Sequence, residues 1–184
     1  KKHNITLLVT ATTTSISPAE HIMFMILNIS KGIGSFDRAV RNGEWRSGSI
    51  AHMQNKDNFE LFGKKILIVG FGRIGKKLIK RCLGFEMEVF AYDPYVSKKE
   101  INALGGVKVE NLEDGLKIAD IVTLNVPLTE ETNQIINLEK IKMMKKNAII
   151  VNTSRGKVIN EMDLNKSLGL KELSMGMSAD YKEA

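Results

Sequence analysis

From Lys64 onward the chain alternates short apolar, β-branched runs with longer polar–apolar segments. The runs lie at Ile66 to Val69, Glu88 to Tyr92, Val107 to Val109, Ile121 to Leu124 and Ala148 to Val151. Strands with so few polar residues have both faces covered, and the segments between them are long enough to cross over a sheet. The pattern predicts an α/β fold, a doubly wound parallel sheet with helices on both faces. A further strand near Met175 to Ala179 would bring the sheet to about six. The length of 184 residues suits one domain with a core that needs no disulfide or metal to hold it.

The first run is followed at once by Gly70-Phe71-Gly72-Arg73-Ile74-Gly75 and then by a segment with Ile74, Leu78, Ile79, Cys82 and Leu83 at helical spacing, ending at Gly84. Strand, G-x-G-x-x-G and helix in this order have a physical logic. The first glycine permits the tight turn, the second lets backbone approach a pyrophosphate, and the third lets helix and strand pack closely. The helix N-terminus then presents free N–H groups to the anion. Roughly 20 residues further on, Asp93 ends the next run, where a carboxylate can accept hydrogen bonds from the ribose hydroxyls. A carboxylate there repels a 2′-phosphate, so NAD is expected over NADP, although Lys98 and Lys99 follow.

Before this core lie an apolar piece at Ile5 to Val9, a Thr-rich turn, and Ser17-Pro18-Ala19-Glu20. The last reads as a helix start, with Ser17 as N-cap, Pro18 at the first helical position and Glu20 in capping-box spacing. From Ile22 to Ile29 this helix is apolar on nearly every side, which demands cover, and a subunit interface is the expected source. The polar, Gly-rich stretch Gly43 to Asn58 around Trp45 reads as an arm. Residues 17–58 are therefore expected to form a homodimer contact.

Composition narrows the class. The chain is 43% hydrophobic and 26% charged, with a formal charge of +6 and one cysteine, Cys82. Disordered and fibrous classes are excluded, and the cysteine usage makes a cytoplasmic location the expectation. The apolar stretch at Ile22 to Ile29 is far short of the roughly 20 residues a membrane span needs, and the opening Lys1-Lys2-His3-Asn4 leads into no signal-peptide pattern. No membrane partner is expected. Lys140, Lys142, Lys145 and Lys146 have no interleaved aromatic residues, so they read as a solvated face and no nucleic-acid partner is expected. Cys82 belongs to the apolar stripe and reads as packed rather than reactive.

Taken together, the residues resemble the D-isomer-specific 2-hydroxyacid dehydrogenases, the family that includes phosphoglycerate dehydrogenase. The resemblance rests on Ser-Pro-Ala-Glu-His (17 to 21), Asn-Gly-Glu-Trp (42 to 45), the glycine loop (70 to 75), Tyr-Asp-Pro-Tyr (92 to 95), Asn-Val-Pro-Leu-Thr (125 to 129), Glu-Thr (131 to 132) and Val-Asn-Thr-Ser-Arg-Gly (151 to 156). It implies a Rossmann-type NAD-binding domain, with a separate substrate domain built from flanking chain that is absent here. It further implies backbone N–H groups of Arg73 and Ile74 on the pyrophosphate, Asp93 on the adenosine ribose, and Val126 with Pro127 beside the adenine. Thr153, Ser154 and Thr10 would be nearby contacts. Arg155 would clamp the carboxylate of a small 2-hydroxy or 2-oxo acid next to the nicotinamide. Many relatives carry histidine where this chain has Asn125.

The stretch after Met175 matches the family in two registers. One places Glu183 at the family's catalytic glutamate and Ser178 where an aspartate contacts the nicotinamide; the other makes Asp180 that aspartate and leaves the glutamate missing. The family's acid–base histidine falls beyond Ala184, and His3, His21 and His52 read as structural or solvated. This polypeptide alone is accordingly expected to bind coenzyme and turn over poorly. A non-catalytic NAD-binding sensor or corepressor-like module is the alternative, and it has no need of Arg155.

Overall fold

In the computed structural model, which describes residues 15–43 and 58–168, the alternating runs become a five-stranded parallel sheet. The strands are β1 (Lys65–Val69), β2 (Glu88–Tyr92), β3 (Val107–Lys108), β4 (Ile121–Leu124) and β5 (Ile149–Asn152). Their order across the sheet is β3-β2-β1-β4-β5, and every neighbouring pair is parallel. The chain winds outward from β1 to β3, then returns and winds the other way. The β1/β4 boundary is therefore the topological switch point, the place at which doubly wound sheets form a ligand crevice beyond the carboxyl ends of the strands.

Alternation along each strand sends side chains to two cores. Ile66 and Ile68 of β1, Val89 and Ala91 of β2, Ile121 and Val151 face one side. Leu67 and Val69 of β1, with Val122 and Leu124, face the other. Helices α1 (Ile16–Lys31), α3 (Arg73–Gly84) and α4 (Lys98–Ala103) contribute to the first core. Helices α5 (Leu112–Ile118), α6 (Leu138–Met143) and α7 (Glu161–Leu168) lie on the second, and a short α2 (Ile33–Arg41) follows α1. Both faces are covered, as the near-absence of polar residues in the strands required.

The α3 stripe packs as its spacing dictates: Leu78, Ile79 and Cys82 are fully buried against the sheet and α1, while Leu83 lies at the rim. Burial pushes the Cys82 thiol up to about 12, and its Sγ lies 3.8 Å from Met23 Sδ, so it is a packed side chain. At the opposite end of the sheet from the crevice, Asp120 joins three pieces of chain. Its carboxylate accepts from Lys65 N at 2.8 Å and Lys145 Nζ at 2.7 Å, and its carbonyl accepts from Ile149 N at 3.0 Å.

Several expectations shift. Helix α1 begins at Ile16 with Ser15 as N-cap, so Pro18 sits at the third helical position rather than the first. All first-turn N–H groups lack intrahelical acceptors, so proline is tolerated anywhere in that turn. The helix is also less naked than its composition implied. Ala19, Ile22, Met23, Ile26 and Ser30 are buried in this chain's own core, and Arg81 of α3 pairs with Glu20 at 2.8 Å. Phe24 and Ile29 stay exposed. Gly32, in the left-handed region at φ 59°, ends α1 and starts α2, a break that the sequence reading passed over. Strand β3 stops at Lys108, yet Val109 N still donates to Ala91 O at 2.9 Å. Strand β5 runs from Ile149 to Asn152, one residue later than expected.

Of the lysine cluster, Lys140 pairs with Glu113 at 3.5 Å and Lys145 with Asp120 at 2.7 Å. Among the described residues no helix is long and apolar enough to cross a membrane. The strand expected near Met175, the piece Ile5 to Val9, Trp45 and nearly all of the arm lie outside the described residues.

Candidate functional site

The three glycines after β1 are held for three different reasons. Gly70 has φ +89°, and a Cβ there would lie 2.8 Å from both Asn125 O and Val126 Cγ1. A Cβ on Gly75 would lie 2.7 Å from Gly70 O and 3.2 Å from Ile68 Cγ2. These two are compelled by the fold itself. Gly72 is different: a Cβ would meet nothing within 4 Å, so packing gives no reason for a glycine where the loop turns into α3. A ligand pressed against the backbone does give one.

Gly72 is the N-cap of α3, and Arg73, Ile74 and Gly75 form its first turn, which contains no acidic side chain. Helix geometry leaves the N–H groups of that turn without intrahelical acceptors, under the positive end of the dipole. One loop donor is already engaged, because Phe71 N donates to Asp93 Oδ2 at 2.8 Å. The other carboxylate oxygen accepts from Tyr95 N at 2.9 Å. Each oxygen keeps a second lone pair, so Asp93, directly after β2, can both brace the loop and accept from a pair of hydroxyls.

The loop after β4 forms the facing wall. Val126 reaches over Gly70, and its neighbour Pro127 is exposed. Thr132 ties the turn that follows: its hydroxyl donates to Pro127 O, and its Oγ1 accepts from Thr129 N at 2.8 Å. Tyr95 OH crosses from the β2 side to donate to Glu131 Oε2 at 2.8 Å. Asn125 donates from Nδ2 to Thr123 Oγ1 at 3.1 Å, and its Oδ1 is buried without a hydrogen-bond partner among the described residues.

Beyond β5 the chain makes a turn held by Asn152. Its Oδ1 accepts from Ser154 N at 3.0 Å and Ser154 Oγ at 2.7 Å, while its Nδ2 donates to Arg155 O at 2.8 Å. Thr153 and Ser154 are half-buried, and Arg155 is exposed. The Arg155 guanidinium donates to Ser154 O at 2.9 Å and has no carboxylate partner among the described residues.

With that geometry in view, the comparisons with known proteins are specific. The family model for the NAD-binding domain of the D-isomer specific 2-hydroxyacid dehydrogenases matches residues 23–181. The chain belongs to this family. The D-3-phosphoglycerate dehydrogenase of Methanocaldococcus jannaschii is 39% identical over 155 residues, covering 84% of this chain and 28% of that protein. The glyoxylate reductase of Pyrococcus furiosus is 41% identical over 151 residues, covering 82% of this chain and 45% of that protein. Among solved structures, the D-lactate dehydrogenase of Aquifex aeolicus complexed with NAD and lactic acid superposes with a TM-score of 0.76 at 30% identity, covering 85% of this chain and 45% of that one. The chain thus spans less than half the length of these relatives.

NAD is the coenzyme of this dehydrogenase domain family, and the residues at the switch point fit it. The open face of Gly72, the first turn of α3 without an acid and the spare lone pairs of Asp93 are what a dinucleotide needs. Of the residues singled out from sequence, Gly70, Gly72, Arg73, Ile74, Gly75, Asp93, Val126 and Pro127 surround the ends of β1, β2 and β4, and Thr153, Ser154 and Arg155 follow β5. Thr10, Asp180 and Glu183, with Ser178, His3 and His52, lie outside the described residues. His21 is on the exposed side of α1, stacked on Phe24 with ring centroids 6.0 Å apart. Sequence reasoning passed over Asn152, Thr132, Tyr95 and Glu131. Each stood inside a motif already quoted, and the Asn-x-Ser and Thr-x-x-Thr spacings of local side-chain-to-backbone turns were the signal available for the first two.

Proposed function

We propose that this chain is the coenzyme-binding part of an NAD-dependent oxidoreductase that transfers a hydride reversibly between NAD and a small D-2-hydroxy acid and its 2-oxo acid. The observation that carries the reading is the unfilled space at Gly72 beside the first turn of α3, in a loop whose preceding residue, Phe71, donates its N–H to Asp93. In this reading the first-turn N–H groups of Arg73 and Ile74 hold the pyrophosphate, Asp93 accepts from the adenosine ribose, and Val126 with Pro127 flanks the adenine. The bound nicotinamide supplies the hydride acceptor and donor. Thr153 and Ser154 position the turn, and Arg155 clamps the substrate carboxylate bidentately, aligning the reacting carbon and polarising its oxygen.

A general acid–base with a pKa near neutrality is also needed, and the single described histidine, His21, lies on the exposed side of α1, stacked on Phe24. Thr10, Asp180 and Glu183 keep the roles that the family resemblance implies. The names of the relatives favour small acids such as glyoxylate or 3-phosphoglycerate without choosing between them. The same reading makes the exposed Phe24 and Ile29 of α1, with Ile33 and Val40 of α2, part of a homodimer contact. Sedimentation of Phe24→Glu should show loss of a dimer, and a wild-type chain that is monomeric at micromolar concentration removes that part.

Calorimetric titration with NADH and NADPH tests the core of the proposal. NADH-selective binding that Arg155→Ala leaves intact, while the 2-oxo acid no longer binds, is the expected result. Binding of neither dinucleotide overturns it.

A further inference from the structure

Tyr95 is 81% exposed, yet it is held at both ends. Its backbone N–H donates to Asp93 Oδ1 at 2.9 Å and its hydroxyl to Glu131 Oε2 at 2.8 Å. Because Asp93 Oδ2 accepts from Phe71 N at 2.8 Å, an unbroken series runs from the phosphate loop through Asp93 and Tyr95 to Glu131. It links the loops after β2 and β4, and β1 is the strand between them, so the series passes over the switch point. The far end is anchored too, since the neighbouring Thr132 closes the turn onto Pro127 and Thr129. An isolated bond between two exposed side chains contributes little to stability, so the position it gives a charge is what calls for a reason.

We propose that Glu131, held at the adenosine end of the crevice by Tyr95, is a second carboxylate that excludes a 2′-phosphorylated dinucleotide. This rests on the coenzyme reading above. Asp93 alone occupies the ribose position, but a 2′-phosphate could be accommodated by a small shift of that one side chain. Glu131 places another negative charge on the opposite lip, with Glu130 beside it, so moving away from one carboxylate brings the phosphate toward the other. The Tyr95 hydroxyl lies within reach of both charges: its pKa is raised above the usual phenol value first by its hydrogen bond to Glu131 and the charge of that group, then by desolvation, with a smaller contribution from Asp93. Lys98 and Lys99, which open α4 just after Tyr95, oppose the exclusion, and Lys76 of α3 is paired across to Glu100 of α4. Tyr95 is a positioning residue: without its hydroxyl, Glu131 loses the bond that holds it over the crevice.

The test is titration of the whole chain and its variants with NADH and NADPH. Glu131→Gln should improve NADPH affinity relative to NADH by roughly three- to tenfold, the scale of a carboxylate acting on a phosphate dianion several ångströms away in a wet site. The gain should shrink as added salt shortens the screening length toward about 3 Å. Tyr95→Phe should move the ratio the same way but less, and should add nothing in a chain that already carries Glu131→Gln. If Asp93→Ala shifts the ratio and Glu131→Gln does not, the proposal fails while the coenzyme site stands. If Tyr95→Phe acts equally with and without Glu131, the positioning role fails. If the wild-type chain binds neither dinucleotide, the site reading and this proposal fall together.

Discussion

The turns after β1 and after β5 stand at the same edge of the same sheet and are built on opposite principles. The first is fixed by close backbone approach: Gly70 and Gly75 leave no room for a Cβ, and Phe71, Leu78 and Ile79 are fully buried around them. The second is fixed by one side chain, Asn152, whose amide makes three hydrogen bonds to residues 154 and 155 while Arg155 lies in solvent. A dinucleotide needs a rigid backbone cradle, which dense packing supplies. A polar turn leaves an extended charged side chain in solvent without disturbing the core, which is what the proposed carboxylate-clamping role of Arg155 would require.

The sharpest way to break this contrast is inside the first turn. Gly70→Ala adds a Cβ where φ is +89° and backbone lies 2.8 Å away, so it should cost about 2–4 kcal/mol from left-handed strain and overpacking, read as a lowered Cm in urea. Gly72→Val should separate fold from ligand. With nothing within 4 Å of the new Cβ, stability should stay within roughly 1 kcal/mol, while NADH affinity falls by about two orders of magnitude as the backbone is held off the pyrophosphate. A large loss of stability, or unchanged affinity, would show that the two turns do not differ as described.

Asn152→Ala tests the second turn. Loss of its hydrogen bonds should destabilise the chain by only about 1–2 kcal/mol, and should weaken 2-oxo acid binding more than NADH binding in calorimetry. Equal loss of both would mean that the brace serves the whole sheet.

The smallest effect belongs to the far end of the sheet. Burial pushes the Asp120 carboxyl up, but the hydrogen bond from Lys145, the Lys65 N–H and the lysine charges outweigh it, so the net shift is downward. A depressed carboxylate pKa means stability that is present above the unfolded value, about 4, and lost as pH falls through the folded value. Asp120→Asn should therefore flatten the decline in melting temperature below about pH 4 and leave NADH binding at neutral pH intact. A coenzyme affinity that followed the same variant would contradict the separation of the two ends.

Legibility followed the same division. Strands Glu88–Tyr92 and Ile121–Leu124 and helix Arg73–Gly84 were readable residue for residue, because their apolar periodicity is the packing. The phosphate loop was readable because glycine is the residue a close approach demands. The start of α1 was misplaced because a proline anywhere in a first turn has no N–H and so needs none of the acceptors that turn lacks. The Tyr95–Glu131 link was invisible, since two exposed residues 36 apart leave no periodic trace.

The sequence by itself determined the parallel sheet, the glycine loop and the position of Asp93, since each follows from local periodicity or from the steric need of a single residue. Only the tertiary structure decided that Gly72 faces empty space while Gly70 and Gly75 do not, that one face of α1 is buried against α3 and the sheet, and that Asn152 rather than the core shapes the Arg155 turn. Those facts depend on which atoms meet across the sheet, and contacts between distant residues are set by packing geometry that no local pattern encodes.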